Sequence, residues 1–381
     1  MLDAMDVLLF VFAVNVIRDE FGLSAAQAGL VSSFTLAFSA VGGIGFGILA
    51  DKIGRARSLV YSILIYSIAS GGTALSWNLP SLLFWRALVG IGLGAEWSAG
   101  AVLVAETWPA EHRAKAVGIM QSGWALGYIL AAGVTAVVLP RYGWKALFLT
   151  GLAPALFAVL LRRKLQEPEF WLRSKDAPKR DIRDIFRGEL LRRTVMGSAL
   201  ATSVLFAYWG LFTWIPGFLS ASKERGGAGL NIVRTSGFIV PMQMGAFAGY
   251  VTFGWLADKL GRRAAFLLYV VGAAIATPIY GASRDEKTLL LLGPVIGFLG
   301  TGFFSLFGAM LSELYPTAVR GAGGGFVYNI GRGLSSMAPW VVGYFGDRYG
   351  IGPALALNSA FFLIGAGLIF TLPETRKVQL S

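Results

Sequence analysis

Hydrophobic residues in this chain are gathered into long blocks. They neither alternate in twos nor recur in threes and fours. Twelve such blocks stand out, at about 1–17, 27–50, 58–76, 80–104, 114–138, 146–161, 193–220, 234–256, 264–282, 289–312, 321–346 and 354–371. A helix needs roughly 17–25 predominantly apolar residues to cross a bilayer. One that is apolar all round has to be buried in protein or lipid. The blocks therefore predict an all-α membrane protein of twelve transmembrane helices, the first at the lower limit of length. The longest polar stretch, residues 162–193, divides the blocks into two sets of six. The expected units are an N-terminal six-helix bundle over 1–161, a cytoplasmic linker over 162–192 and a C-terminal six-helix bundle over 193–381. Within the linker, IRDIFRGELLRR has helical apolar spacing and reads as an interfacial helix.

Composition sharpens this picture. Of 381 residues, 55% are hydrophobic and only 14% charged, whereas a soluble domain averages about 25% charged. Fifty glycines and eleven tryptophans fit close helix packing and interfacial anchoring in lipid. The chain has no cysteine and a single histidine, His112, which excludes a thiolate nucleophile and a histidine-built metal centre. No GxSxG, HExxH or Walker motif is present, so nothing points to an enzyme or a bound cofactor. The start is acidic and lacks a cleavage site, so residues 1–17 read as a retained helix, not a signal peptide.

The net charge of +12 would suit nucleic acid if it formed a patch. It lies instead in the loops, and it is biased to one side. Loops 51–57, 106–115, 162–193, 257–263 and 313–320, with the tail after 371, hold 22 Lys and Arg, and the alternate loops hold 9. Basic loops stay in the cytoplasm. The expectation is a multi-pass protein of the cell (inner) membrane, with both termini cytoplasmic and a lipid bilayer, not a nucleic acid, as its surroundings.

The chain also repeats. GILADKIGRAR begins at Gly47 and GWLADKLGRRA at Gly254, an offset of 207. The same offset of 207 relates Glu106-Thr-Trp-Pro109 through Arg113 to Glu313-Leu-Tyr-Pro316 through Arg320, and Glu167 to Glu374. Six helices return a chain to its starting side, so the two copies have the same orientation. Parallel repeats with a site between them are a known transporter plan.

These residues carry a family resemblance. GILADKIGRAR resembles the Gly-x-x-x-Asp-(Lys/Arg)-x-Gly-Arg-(Lys/Arg) signature of the major facilitator superfamily, between its second and third helices. The second copy falls between the eighth and ninth, as it does there. Arg86-Ala-Leu-Val-Gly90-Ile-Gly92-Leu-Gly94 is similar to the fourth-helix signature. Asp3-x-x-Asp6, GLGAEW, YGWKALFLTG and LLRRKLQEPEFW look like the sialate and monocarboxylate proton symporters and, more loosely, the metabolite and aromatic-acid symporters. The resemblance implies a monomeric secondary transporter. It implies a cytoplasmic latch at Asp51, Arg55, Asp258 and Arg262, with Glu106, Arg113, Glu313 and Arg320 as candidate members; topology anchoring alone is the simpler role. It also implies that relatives begin with more of helix one, so this first helix is expected to be truncated.

Five ionisable residues fall inside the blocks: Asp3, Asp6, Arg86, Glu96 and Arg332. Such groups are costly in lipid and mark functional cavities by default. Asp3 and Asp6 are three apart and share a helix face. Neighbouring carboxylates repel and burial disfavours the charged form, so one of the pair reads as a proton carrier; a solvated pair at a helix end is the alternative. Arg86 is placed to pair with either acid, for coupling or for structure, and Glu96 is a second candidate proton site. Arg332 has no counterpart in the repeat, where Ala125 stands. A feature of one copy serves substrate more readily than scaffold, and a guanidinium holds a carboxylate through two parallel hydrogen bonds. Its alternative role is partner to an acid elsewhere. Asn15, Gln121, Tyr128, Gln243, Tyr328 and Asn329 are candidate cavity residues, with Tyr208, Trp209 and Trp214 as an aromatic wall. The expected function is proton-coupled symport of a small organic anion by alternating access, with protons as coupling ion. A neutral-sugar or drug porter of the same superfamily and a transport-silent sensor are the alternatives.

Overall fold

A computed structural model describes residues 1–107, 110–162, 182–316 and 319–374, side chains excepted at 48, 51, 55, 95–118, 158–162, 182, 258, 306, 309, 312 and 320–322. Among the described residues the chain is helical and carries no strand. The first half runs α1 (Leu2–Phe21), α2 (Ala25–Ile53), α3 (Arg55–Thr73), α4 (Leu79–Thr107), α5 (Ala110–Leu149) and α6 (Ala153–Arg162). The second runs α7 (Gly188–Ser220), α8 (Ile232–Leu260), α9 (Arg262–Ala282), α10 (Glu286–Thr301), α11 (Phe304–Glu313), α12 (Arg320–Ser335), α13 (Ala338–Tyr349), α14 (Ile351–Leu355) and α15 (Leu357–Leu368).

Several edges differ from the hydropathy blocks. The first helix continues to Phe21 through Arg18, Asp19 and Glu20, because helical hydrogen bonding does not stop where hydrophobicity does. α5 bends at Gly143 (φ 77°, ψ 176°), where the expected fifth and sixth crossings meet. The block 289–312 is interrupted at Gly302–Phe303, and the block 321–346 just before Pro339, which opens α13. The expected interfacial helix is not a separate element. Ile182–Phe186 is a 3₁₀ turn and the residues from Gly188 are the first turns of α7. The turn is docked, with Ile185 fully buried, its carbonyl accepting from Thr194 Oγ1 at 2.9 Å and the Phe186 ring edge-on to Phe326. The rest of the linker lies outside the described residues.

Among the described residues, five segments are long and apolar enough to cross a membrane by length and composition alone: Ala25–Gly47, Ile119–Phe157, Gly188–Ser220, Arg262–Ala282 and Ile351–Thr371. Buried charge or a chain break lowers the signal in others, such as α1 with its aspartates and α10 with α11.

The repeat is visible in backbone and packing. Gly54 and Gly261, 207 apart, have φ 109° and 99° and both have ψ 157°. Gly54 N–H donates to Ala50 O at 3.1 Å and Gly261 N–H to Ala257 O at 3.0 Å, the same register again. Only glycine adopts such angles without strain. Gly261→Ala is accordingly expected to destabilise the protein by about 1–3 kcal/mol, read as a lower melting temperature in detergent; an unchanged transition would refute it. Helix contacts repeat too. Gly90 sits on Thr35 O and Gly297 on Met242 O; Gly42 faces Ile91 and Gly249 faces Phe298. Each pair leaves no room for a Cβ, so α2 packs on α4 as α8 packs on α10, by close approach of small residues. The halves meet where α2 lies on α12 and α13, α5 on α8, and α1 on α7.

Candidate functional site

The polar centre starts on α1. Asp6 is fully buried and faces α3 and the 3₁₀ turn Thr150–Leu152. Its Oδ1 accepts from Ser70 Oγ at 3.2 Å, and its Oδ2 has no hydrogen-bond partner. A Cβ on Gly151 would collide with Ser70 Oγ and Asp6 Oδ1, so this glycine makes room for the carboxyl. Asp3, one turn earlier, is 18% exposed and accepts from the chain's own terminal ammonium at 2.8 Å. The two acids thus have different surroundings, and Asp6 is the sequestered one.

Arg86, on α4, is 1% exposed and within electrostatic reach of Asp6. It is not hydrogen-bonded to it. Its Nη2 makes a long contact to Val7 O, 3.5 Å, and Nε and Nη1 have no partner. The guanidinium lies over the rings of Phe10 (5.4 Å) and Phe148 (6.0 Å). Ring faces attract cations, so the group is held in place while its donors stay free. Of the expected Arg86–aspartate pair, the structure shows charge coupling to Asp6 without a hydrogen bond.

Arg332 stands on α12, in the other half, and is 8% exposed. Its Nε has no partner, and its guanidinium makes no hydrogen bond or ion pair among the described residues. Both arginines line one cavity, with Val7 and Val11 of α1, Ser32, Thr35, Leu36 and Ser39 of α2, Leu93 of α4, and Trp209 and Thr213 of α7. The space is about 20 Å³, enough for about one water molecule. Two buried cations thus face one small cavity between the halves, with nitrogens that have no partner among the described residues. Among the described residues, no acidic side chain lines it.

The chain matches the Major Facilitator Superfamily profile over residues 1–242 and 234–381. The chain belongs to the Major Facilitator Superfamily. It is 34% identical to a putative metabolite transport protein of Haemophilus influenzae over 391 residues, which is 100% of this chain and 95% of that one. It is 32% identical to the cis,cis-muconate transport protein of Acinetobacter baylyi over 375 residues, 96% of this chain and 90% of that one. The crystal structure of a D-xylose-proton symporter shares its fold, with TM-score 0.76 at 19% identity, covering 100% of this chain and 98% of that one. Superfamily relatives of this kind are integral membrane transporters and not enzymes.

Of the candidate substrate residues of this superfamily member, Arg332 and Trp209 line the cavity, and Arg86 joins them. The others lie elsewhere. Tyr328 is one turn from Arg332 and within its electrostatic reach. Asn329 Nδ2 donates to Gly325 O of its own helix. Tyr128 donates to Phe212 O at 2.9 Å, tying α5 to α7. Tyr208 is buried among Trp209, Phe212 and Phe304. Trp214 Nε1 donates to Pro339 O at 2.8 Å. Gln121 is partly buried and Gln243 buried with Nε2 unpartnered; neither lines the cavity. The side chains of Glu96, Asp51, Arg55, Glu106, Arg113, Asp258 and Arg320 lie outside the described residues. Around the second signature loop, Glu374 caps α9, accepting from the N–H groups of Arg262 and Arg263 at 3.1 Å each. Glu313 is the last residue of α11.

The residues missed from sequence lie at the opposite, distal face. Asp347, at the end of α13, accepts Ala25 N–H (2.7 Å) and Ala26 N–H (2.8 Å) with its two oxygens. It thereby caps α2 from the other half, alongside the local capping box of Ser24 and Gln27. Arg18 approaches Asp347 at 3.9 Å, and Arg225 pairs with Asp19 at 2.8 Å. The hydrogen bond and charge of Asp19 hold the Arg225 pKa above its ordinary value. Arg18 and Arg225 are 207 apart, so each half sends the same arginine to an acid in the other. That offset was the sequence signal for this clasp. Asn15, expected in the cavity, belongs here: its Nδ2 donates to Gly217 O (2.9 Å) and Ser220 Oγ (2.8 Å). An anion on a helix N-terminus contributes about 0.3–2 kcal/mol. Asp347→Ala should therefore raise distal-side thiol labelling of a cysteine placed at Ser32 by roughly 2- to 30-fold. The chain has no native cysteine to interfere. Unchanged labelling would remove Asp347 from the clasp.

Proposed function

We propose that this protein is a proton-coupled symporter of a small organic anion, working by alternating access. The observation that carries the reading is Arg332: buried, without an ion pair among the described residues, and on a cavity between the halves. An unpaired buried cation is strongly unfavourable, and a carboxylate supplies what it lacks through two parallel charge-assisted hydrogen bonds. The similarity to a metabolite and a muconate transporter supports the substrate class. Arg332 has no use in a neutral-sugar site, which weighs against the sugar reading.

The coupling role falls to Asp6, whose Oδ2 is unsatisfied and whose neighbour Arg86 feels its charge. Taking up a proton there changes the balance around the anion site. Asp3 and Glu96 remain secondary candidates. Room for about one water cannot hold an organic anion, so substrate must meet a more open arrangement. The distal clasp supports rocking of two six-helix bundles, 1–161 and 193–381, about the site. The signature-loop acids and bases would serve as the opposing latch. Twelve crossings, a monomer in the inner membrane, both termini cytoplasmic and the clasp on the outer face complete the proposal, the orientation resting on the 22 and 9 basic residues of the two loop sets.

Counterflow in proteoliposomes tests the substrate class. Vesicles preloaded with an unlabelled acid should exchange a labelled carboxylate and not a labelled pentose or hexose. Exchange of sugars alone would defeat the proposal.

A further inference from the structure

Two arginines line the central cavity, and only one is needed to hold a monocarboxylate. We propose that Arg86 is a second anion anchor and that the preferred substrate is a dianion, bridged between Arg86 of the first half and Arg332 of the second. This rests on the organic-anion reading above and narrows it.

Arg86 is 1% exposed, yet among the described residues only Nη2 of its guanidinium nitrogens has a protein acceptor, at 3.5 Å. A guanidinium carries five N–H donors and stays charged. Deep burial with most of them unused is unfavourable unless an anion arrives. Phe10 and Phe148 fix the group by their ring faces and do not consume its donors. Two of the four hydroxyls on the wall offer little competition. Thr35 Oγ1 donates to Val31 O and Ser39 Oγ to Leu36 O, so their protons are committed to their own helix. The guanidinium nitrogens are thus the strong donors of this space. Among the described residues Asp6 is the nearby acid, and its Oδ1 is turned to Ser70 and not to Arg86. Asp3 is within electrostatic reach of Arg332 but forms no ion pair with it. Neither carboxylate is placed to fill an arginine's fork.

A substrate with a carboxylate at each end satisfies both cations and ties the halves together across the cavity. A monoacid satisfies one and leaves the other buried and unpaired, which is the penalty that makes a charged site discriminate. The apolar parts of Val7, Val11, Leu36, Leu93 and Trp209 suit the hydrocarbon between the two acid groups.

The test is calorimetric binding of matched acids to the full-length protein in detergent, using succinate against butyrate, adipate against hexanoate, and terephthalate against 4-methylbenzoate. In at least one pair the diacid is expected to bind at least about tenfold more tightly. Arg86→Gln should bring that ratio to about one, and Arg86→Lys, which keeps the charge, should retain part of it. Melting curves identify any variant that fails to fold, and the wild-type ratios decide the matter without it. If acids bind with no pair discriminating, the dianion inference is overturned and the anion reading stands. If no acid of the panel binds, the anion reading itself fails.

Discussion

Arg332→Gln is expected to remove substrate binding and with it transport. The guanidinium is buried at 8% exposure with no hydrogen-bond or ion-pair partner among the described residues, so its side-chain donors are available to substrate. Losing one member of a buried charged pair costs about 2–5 kcal/mol, or roughly 30- to 4000-fold in affinity. The fold should not suffer. An unpaired buried charge opposes folding, so the neutral variant should melt at the same temperature or higher. Calorimetric titration with the best carboxylate, alongside a melting curve, reads both. Unaltered affinity would relieve Arg332 of its role. Lost affinity together with a lower melting temperature would assign it to structure instead.

Asp6→Asn is expected to separate exchange from accumulation. The amide has nearly the shape of the carboxyl and can accept from Ser70 as Oδ1 now does, so the geometry at Gly151 survives. What is lost is the capacity to bind and release a proton. A pH difference of one unit supplies about 1.4 kcal/mol per proton, a tenfold concentration ratio. With the membrane potential held at zero, wild type should reach such a ratio when one proton moves with each anion. The variant should only equilibrate, while anion counterflow continues. The assay measures labelled carboxylate in proteoliposomes under an imposed pH step. Undiminished accumulation by Asp6→Asn would move the coupling site elsewhere.

The fold was legible because its signals are long and doubled. Blocks of apolar residues gave the helical class, and GILADKIGRAR with GWLADKLGRRA gave both the family and the repeat. The shared φ near 100° at Gly54 and Gly261 is the physical content of those motifs. Helix edges were less legible, because capping and backbone geometry set them. Gly143 and the break before Pro339 fall inside apolar sequence where hydropathy is blind. At the site, Asp6, Arg86 and Arg332 could be picked out because charge inside an apolar block is conspicuous. Which charge pairs with which could not. A sequence favours joining Arg86 to an aspartate; the structure places Phe10 and Phe148 beside it and Ser70 beside Asp6. Neutral polar residues were hardest, since Asn15, Tyr128 and Asn329 satisfy helix carbonyls as readily as ligands. Asp347 was missed because it lies at a helix end, where acidic residues are ordinary, and its partners are backbone N–H groups with no sequence signature.

The central claim is that anion movement is driven by protons through this centre. It is tested most directly by purified protein in proteoliposomes, inside alkaline and outside acidic, with labelled carboxylate followed over time. The account predicts transient accumulation above the external concentration, abolished by a protonophore that collapses the gradient. Uptake that stops at equal concentrations, with or without the gradient, would contradict it.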